Sequence, residues 1–244
     1  MPVVLLHGFG LDARMWEPQF ERFATRFRVI RYDLRGFGRS SLPSSESYSN
    51  EEDLESLLLH MDAAPAHVVG LSMGGRFALR FAAAFPEMVR SLVLADSALD
   101  GYTWSADWQM RWKSLCGSAK SGAIEEAKRQ WLEHPLFDAA RSLPSCRSLL
   151  SEMVADYSGW HWHNRDTANA PSPPVGERLG DLVIPALVIV GSRDLPDFQA
   201  IAERLSAELP LARRAMIEDA GHMVNLEASE SFNKVVEEFW RELG

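Results

Sequence analysis

Short apolar runs recur along the chain, most of them ending at a glycine-rich turn. Val3 to Leu6 ends at His7-Gly8-Phe9-Gly10, and Arg28 to Tyr32 ends at Asp33-Leu34-Arg35-Gly36-Phe37-Gly38-Arg39-Ser40. Val68 and Val69 lead into Gly70-Leu71-Ser72, Ser91 to Ala95 stops at Asp96, and Ile184 to Val190 stops at Gly191-Ser192-Arg193-Asp194. Ala212 to Ile217 closes the series and ends near Gly221-His222. Runs this short, apolar and bounded by turn residues suit strands buried on both faces. Helical patterns lie between them. Leu54, Leu57, Leu58 and Met61 form one apolar stripe, which Ser49 or Asn50 can cap and whose first turn carries Glu51, Glu52 and Asp53. Met73 to Phe85 reads as a helix stopped by Pro86, and Glu227 to Leu243 as an amphipathic helix. Strands alternating with helices predict a parallel sheet covered on both faces.

From about Leu99 to Gly180 this rhythm breaks. The segment has no convincing strand, and it holds Trp104, Trp108, Trp112, Trp131, Trp160 and Trp162, six of the eight tryptophans. Pro171-Ser172-Pro173-Pro174 makes a natural exit linker. The pattern predicts a core built from residues 1–98 and 181–244, with 99–180 inserted as a Trp-rich helical cap. Trp160 and Trp162, close to where the chain returns to the sheet, are the cap residues expected to line a pocket. The same tryptophans can also serve as the insertion's own small core.

Composition narrows the class without choosing a function. The 244 residues are 46% hydrophobic and 24% charged, an ordinary globular balance with enough chain for a substantial core. The formal charge is −9 and the basic residues are scattered, which argues against a nucleic-acid partner. Cys116 and Cys146 show no metal-ligand spacing and read as ordinary thiols. No apolar stretch is long enough for a membrane helix, and Met1-Pro2-Val3-Val4-Leu5-Leu6 lacks the basic start of a signal peptide, so a soluble, cytoplasmic protein without membrane association is expected.

Gly70-Leu71-Ser72-Met73-Gly74 carries the candidate chemistry. Gly-x-Ser-x-Gly alone is a common pattern, but here a buried strand leads in and a helix leads out, the setting of a nucleophile elbow. A turn that tight strains the serine backbone and projects its hydroxyl from the sheet edge, and side chains at positions 70 and 74 would strike neighbouring backbone. The Met73 amide then stands at a helix N-terminus, where it can stabilise an oxyanion, with the Phe9 amide as a second donor from the loop opposite. A phosphate-binding turn is the bland alternative, but the lysine and spacing of a phosphate loop are missing. Among the seven histidines, His222 has the best position for a general base, following the last strand in Asp219-Ala220-Gly221-His222-Met223. His7 is better placed to fix its loop, and His161 and His163 lie in the insertion. Asp194 completes the chain order Ser, Asp, His, while Asp96 and Asp197 remain rival acids. Arg76, one turn beyond Ser72, can bind a carboxylate or pair structurally.

Taken together, these segments resemble the α/β-hydrolase superfamily over nearly the whole chain outside the insertion. Arg14-Met15-Trp16-Glu17-Pro18-Gln19, Arg28-Val29-Ile30-Arg31-Tyr32-Asp33 and Leu71-Ser72-Met73-Gly74-Gly75 look like those of small bacterial esterases and 3-oxoadipate enol-lactonases. The chain departs from the usual pattern in starting almost on the strand of the His-Gly loop, which implies a mostly parallel sheet of six strands that lacks two N-terminal ones. The resemblance implies acyl transfer by Ser72, His222 and Asp194 on a small ester or lactone, with no metal or other cofactor, and Trp160 and Trp162, if they line the site, favour a hydrophobic or aromatic group. A carbon–carbon bond hydrolase, a thioesterase or a cofactor-free perhydrolase could use the same three residues. A ligand-sensing protein that kept the fold and lost turnover is the alternative of another class.

Overall fold

The computed structural model describes residues 1–244. Six parallel strands form one sheet: β1 (Pro2–Leu6), β2 (Arg28–Arg31), β3 (Ala66–Leu71), β4 (Val89–Ala95), β5 (Ala186–Gly191) and β6 (Ala212–Ile217), in the spatial order β2-β1-β3-β4-β5-β6. This is the six-stranded parallel sheet that the apolar runs predict. β3 and β5 are buried at every residue, as strands covered on both faces must be, whereas β6 at one edge exposes Arg213, Arg214 and Met216. One boundary differs for a simple reason. The run beginning at Ile184 becomes strand at Ala186; Pro185 has no amide hydrogen to donate and joins only through its carbonyl, which accepts from the Leu92 amide at 2.9 Å.

The helices of the core are α1 (Glu17–Phe23), α2 (Asn50–His60) and α3 (Met73–Ala84) in the first half. Ser49 caps α2, its hydroxyl accepting from the Glu52 amide at 3.2 Å. Between β4 and β5 the chain contributes only helical elements: α4 (Ala106–Lys120), α5 (Ile124–Leu132), α6 (Asp138–Ser142), α7 (Pro144–Asp156) and the single turn α8 (Trp160–His163). The second half of the core adds α9 (Pro196–Glu208), α10 (Val224–Glu227) and α11 (Ser229–Leu243), so the predicted C-terminal helix starts two residues later than expected, after a separate short turn. The direction of strand addition reverses at β1, and right-handed crossovers therefore put α1 on one face and α2, α3 and α9 on the other. α1 packs against α11, and α2 against α3. No helix is long and apolar enough to cross a membrane.

The helices between β4 and β5 share the core of the sheet. Leu115, Trp131, Leu150 and Val154 belong to the same continuous cluster of 67 buried apolar residues as Val4, Val69 and Leu94. Polar ties fasten the segment as well. Asp197 at the start of α9 accepts from the Ser105 hydroxyl at 2.7 Å and from Tyr102 at 3.1 Å, and Arg14 bridges to Asp156 at 2.7 Å. Cys116 and Cys146 are free thiols.

The strand registers bring the loops of interest to one edge. Leu6 lies opposite Gly70, Leu71 opposite Ala95, Ala95 opposite Ile189, and Gly191 opposite Ile217. The loops carrying Phe9, Ser72, Asp96, Asp194 and His222 thus leave the sheet side by side at its carboxyl end. The reversal between β1 and β3 opens a crevice there, the usual place for a ligand in such sheets.

Candidate active site

Ser72 occupies the sharp turn between β3 and α3. Its φ of 56° and ψ of −115° lie where side chains are disfavoured, and surrounding bonds hold the strain in place. The Ser72 amide donates to Ala95 at 2.9 Å, and its carbonyl accepts from Arg76 at 3.1 Å and Ala98 at 3.0 Å. Closeness of the backbone explains the flanking glycines. A Cβ at position 70 would run into the Gly74 backbone, and one at position 74 into the carbonyl groups of Leu6 and His7.

His222 and Asp194 meet across the β5 and β6 loops. His222 Nδ1 donates to Asp194 Oδ2 at 2.8 Å, and the Leu195 amide donates to Asp194 Oδ1 at 2.7 Å. Both residues are buried, and the Phe198 ring sits 4.2 Å from the imidazole. His222 Nε2 is buried without a protein partner, leaving its lone pair free. Asp96 lies beside the pair, one of its carboxyl oxygens within 4.8 Å of a side-chain ligand atom of each. Asp197, the third acid considered from the sequence, is committed instead to Tyr102 and Ser105.

Two residues that support the loops have different visibility in the sequence. His7 is fully buried and takes both of its hydrogen bonds from backbone: Nδ1 donates to Gly8 at 2.9 Å and Nε2 accepts from Leu34 at 2.9 Å. Burial keeps it neutral by lowering its pKa, which suits the loop-fixing role expected of it. Glu227 is expected from the sequence only as the start of a helix, not as a site residue. Its carboxylate accepts from the amides of Gly221 and Met223, clasping the loop that presents His222. The only signal for it was an acid five residues after the histidine, too weak to single out.

A cavity of about 660 Å³ opens above Ser72, Met73 and Phe9. Its walls are Trp104, Trp108, Trp112 and Trp131, with Phe198 of α9. Trp104 and Trp108 stack at 4.6 Å, and Phe9 meets Trp112 edge-on at 5.1 Å. Trp160 and Trp162 are not in this wall, which corrects the expectation for them. Residues two apart on a single helical turn face different ways, and Trp162 is turned inward, 1% exposed and edge-on to Tyr157 at 4.8 Å. Trp160 packs against His161. The signal missed was the spacing of Trp104, Trp108 and Trp112, which puts three indoles on one side of α4 and its entry.

Arg76 and Lys113 bring positive charge to the same cavity. The nearest carboxylate to Arg76 is Asp100 at 3.9 Å, and Arg80 already holds that group at 2.5 and 2.7 Å. Arg76 Nε is left without a partner. A smaller adjoining cavity runs past Arg76 and Phe9 to His161, which bonds Tyr157 at 2.9 Å and stacks on Phe37. His163 is exposed and lines neither cavity.

A parallel sheet with a strained serine after its third strand and a buried Asp–His pair after its last two defines a hydrolase-type scaffold. Residues 1–229 match the family described as the alpha/beta hydrolase fold, and the chain belongs to that family of hydrolases. It is 27% identical to 3-oxoadipate enol-lactonase 1 of Acinetobacter baylyi, over 97% of this chain and 87% of that protein. It is 31% identical to 2-hydroxy-6-oxononadienedioate/2-hydroxy-6-oxononatrienedioate hydrolase of Cupriavidus pinatubonensis, over 97% and 86%. Among solved structures, a thermophilic esterase from Thermogutta terrifontis superposes with a TM-score of 0.79 at 25% identity, over 100% of this chain and 90% of that one.

Proposed function

We propose that this protein is a serine hydrolase that cleaves a carboxylic ester or lactone of a small hydrophobic or aromatic substrate through an acyl-enzyme. The observation that carries this reading is the buried Asp194–His222 hydrogen bond at the carboxyl edge of the sheet that also presents the strained Ser72 to an aromatic cavity. With its Nδ1 proton committed to Asp194, His222 has Nε2 available as the base.

Ser72 Oγ attacks the ester carbonyl carbon as His222 Nε2 takes its proton. The carbonyl oxygen becomes an oxyanion that accepts from the amides of Phe9 and Met73. Collapse of this intermediate breaks the bond to the alcohol, which leaves with the proton from His222. Water then gives a proton to His222 and attacks the acyl carbon, and Ser72 leaves with that proton restored. Trp104, Trp108 and Trp112 exclude water from the apolar part of the substrate and hold it by ring contact.

A second reading, cleavage of a carbon–carbon bond in a carboxylate-bearing diketone, has Arg76 in its favour. A guanidinium that lines the cavity and makes no hydrogen bond of its own suits an acidic substrate, and the relative from Cupriavidus pinatubonensis is named for a dioate. Esters such as p-nitrophenyl butyrate, thioesters and diketone acids, assayed side by side, separate these reactions. A fluorophosphonate probe is expected to label Ser72, and Ser72→Ala is expected to abolish turnover while remaining folded. Full activity in that variant would sink the serine mechanism.

A further inference from the structure

The site contains one more buried acid than the mechanism uses. Asp96 follows β4 with a φ of 42°, is fully buried, and donates its backbone amide to Ile189 at 2.9 Å. The titratable groups that face it are Asp194 from the loop after β5, His222 from the loop after β6 and Glu227 on α10. Side-chain ligand atoms of Asp96, Asp194 and His222 all lie within 4.8 Å of one another.

The two carboxyl groups are supplied very differently. Both oxygens of Asp194 receive donors, from Leu195 at 2.7 Å and His222 at 2.8 Å. Asp96 Oδ1 accepts from the Gly191 amide at 2.9 Å, but its Oδ2 is buried with no donor. Two carboxylates so close and out of water cannot both stay ionised, and the proton settles on the one with fewer donors.

We propose that Asp96 is a positioning residue: a neutral carboxylic acid whose Oδ2–H donates to Asp194 and holds that carboxylate against His222. This rests on the reading of Ser72, His222 and Asp194 given above. Burial first, and then the Asp194 charge, push the Asp96 carboxyl well above the usual carboxylate range, with the Gly191 amide opposing. Asp96 keeps its proton throughout turnover, so it orients the acid without adding a second negative charge beside the imidazole.

The test compares Asp96→Asn and Asp96→Ala. Asn is neutral and keeps an N–H donor where the acid had its O–H, so the acid limb of kcat/KM should stay within about 0.5 pH unit of wild type. Ala removes the donor, and its kcat/KM should fall at least about tenfold below that of Asn. Infrared difference spectra of wild type against Asp96→Asn near pH 7.5 should show a protonated-carboxyl carbonyl band that the variant lacks. A downward move of the acid limb by about one unit or more in Asn shows that a charge was lost and overturns the proposal. So does the absence of that band, or Ala matching Asn in rate and profile. The infrared band needs no turnover, so it stands apart from failure of the serine mechanism, which labelling of Ser72 reports. It also decides the matter if the Ala variant does not fold.

Discussion

Replacing Asp194 by Asn preserves the shape of the side chain and changes its proton inventory. Asp194 Oδ1 accepts the Leu195 amide at 2.7 Å, and Oδ2 faces His222 Nδ1 at 2.8 Å. Asn has a single acceptor oxygen, and the Leu195 amide at the start of α9 can only donate. The oxygen therefore stays with Leu195, and the NH₂ group turns toward His222. Nδ1 must then accept, which moves the imidazole proton to Nε2, the atom that has to take the proton of Ser72. The imidazolium formed in the transition state also loses its carboxylate partner in a buried setting. Loss of both typically costs about 10⁴ in kcat, or about 5.5 kcal/mol of barrier. Hydrolysis of p-nitrophenyl butyrate reads the rate, and a thermal melt checks that the fold survives. Asp194→Ala leaves the imidazole free to adopt either tautomer, so it should be no slower than Asn despite the larger loss of contact. A folded Asp194→Asn variant within tenfold of wild type would refute the tautomer argument. The same 10⁴ loss appearing in Asp96→Asn instead would move the acid to Asp96.

Three further outcomes follow from the geometry. Ser72→Gly and Ser72→Ala should both be inactive, but Gly should melt higher, by about 1 kcal/mol of stability, because only Gly relaxes at φ 56°; equal melting temperatures would show that the turn stores no strain. His134 is held down to about 4 mainly by burial, so it is neutral in the fold and takes a proton first when unfolded. Stability should therefore be complete above pH 6.5 and fall by on the order of 2–3 kcal/mol as pH drops toward 4, a slope that urea titrations should find reduced in His134→Asn. Trp108→Ala should raise KM for a naphthyl ester about tenfold while changing KM for an acetate ester much less, since Trp108 stacks on Trp104 in the cavity wall; equal effects on both esters would argue that the indole supports the fold alone.

The residues that were legible in the sequence are those fixed by local chain geometry. Gly70 flags the turn because the Gly74 backbone of the same segment passes too close for any side chain, whereas Gly74 is crowded by Leu6 and His7 of the neighbouring strand and is legible only through its spacing from Ser72. The apolar runs of β1 and β5 were equally plain, since strands buried on both faces are built almost wholly from apolar residues. Contacts made across distant loops were not legible. Nothing local says that Leu195 and His222 supply both oxygens of Asp194 while Asp96 receives only Gly191, yet that difference separates an ionised acid from a protonated one. The tryptophans fall between these cases. Trp160 and Trp162 looked suitable because they lie just before the chain returns to the sheet, but helical spacing was the better guide. Indoles at 104, 108 and 112 share one side of α4 and its entry, whereas 160 and 162 diverge on a single turn. The cavity wall is therefore built by α4 and its entry, with Arg76 beside them, more than by the segment where the chain rejoins the sheet.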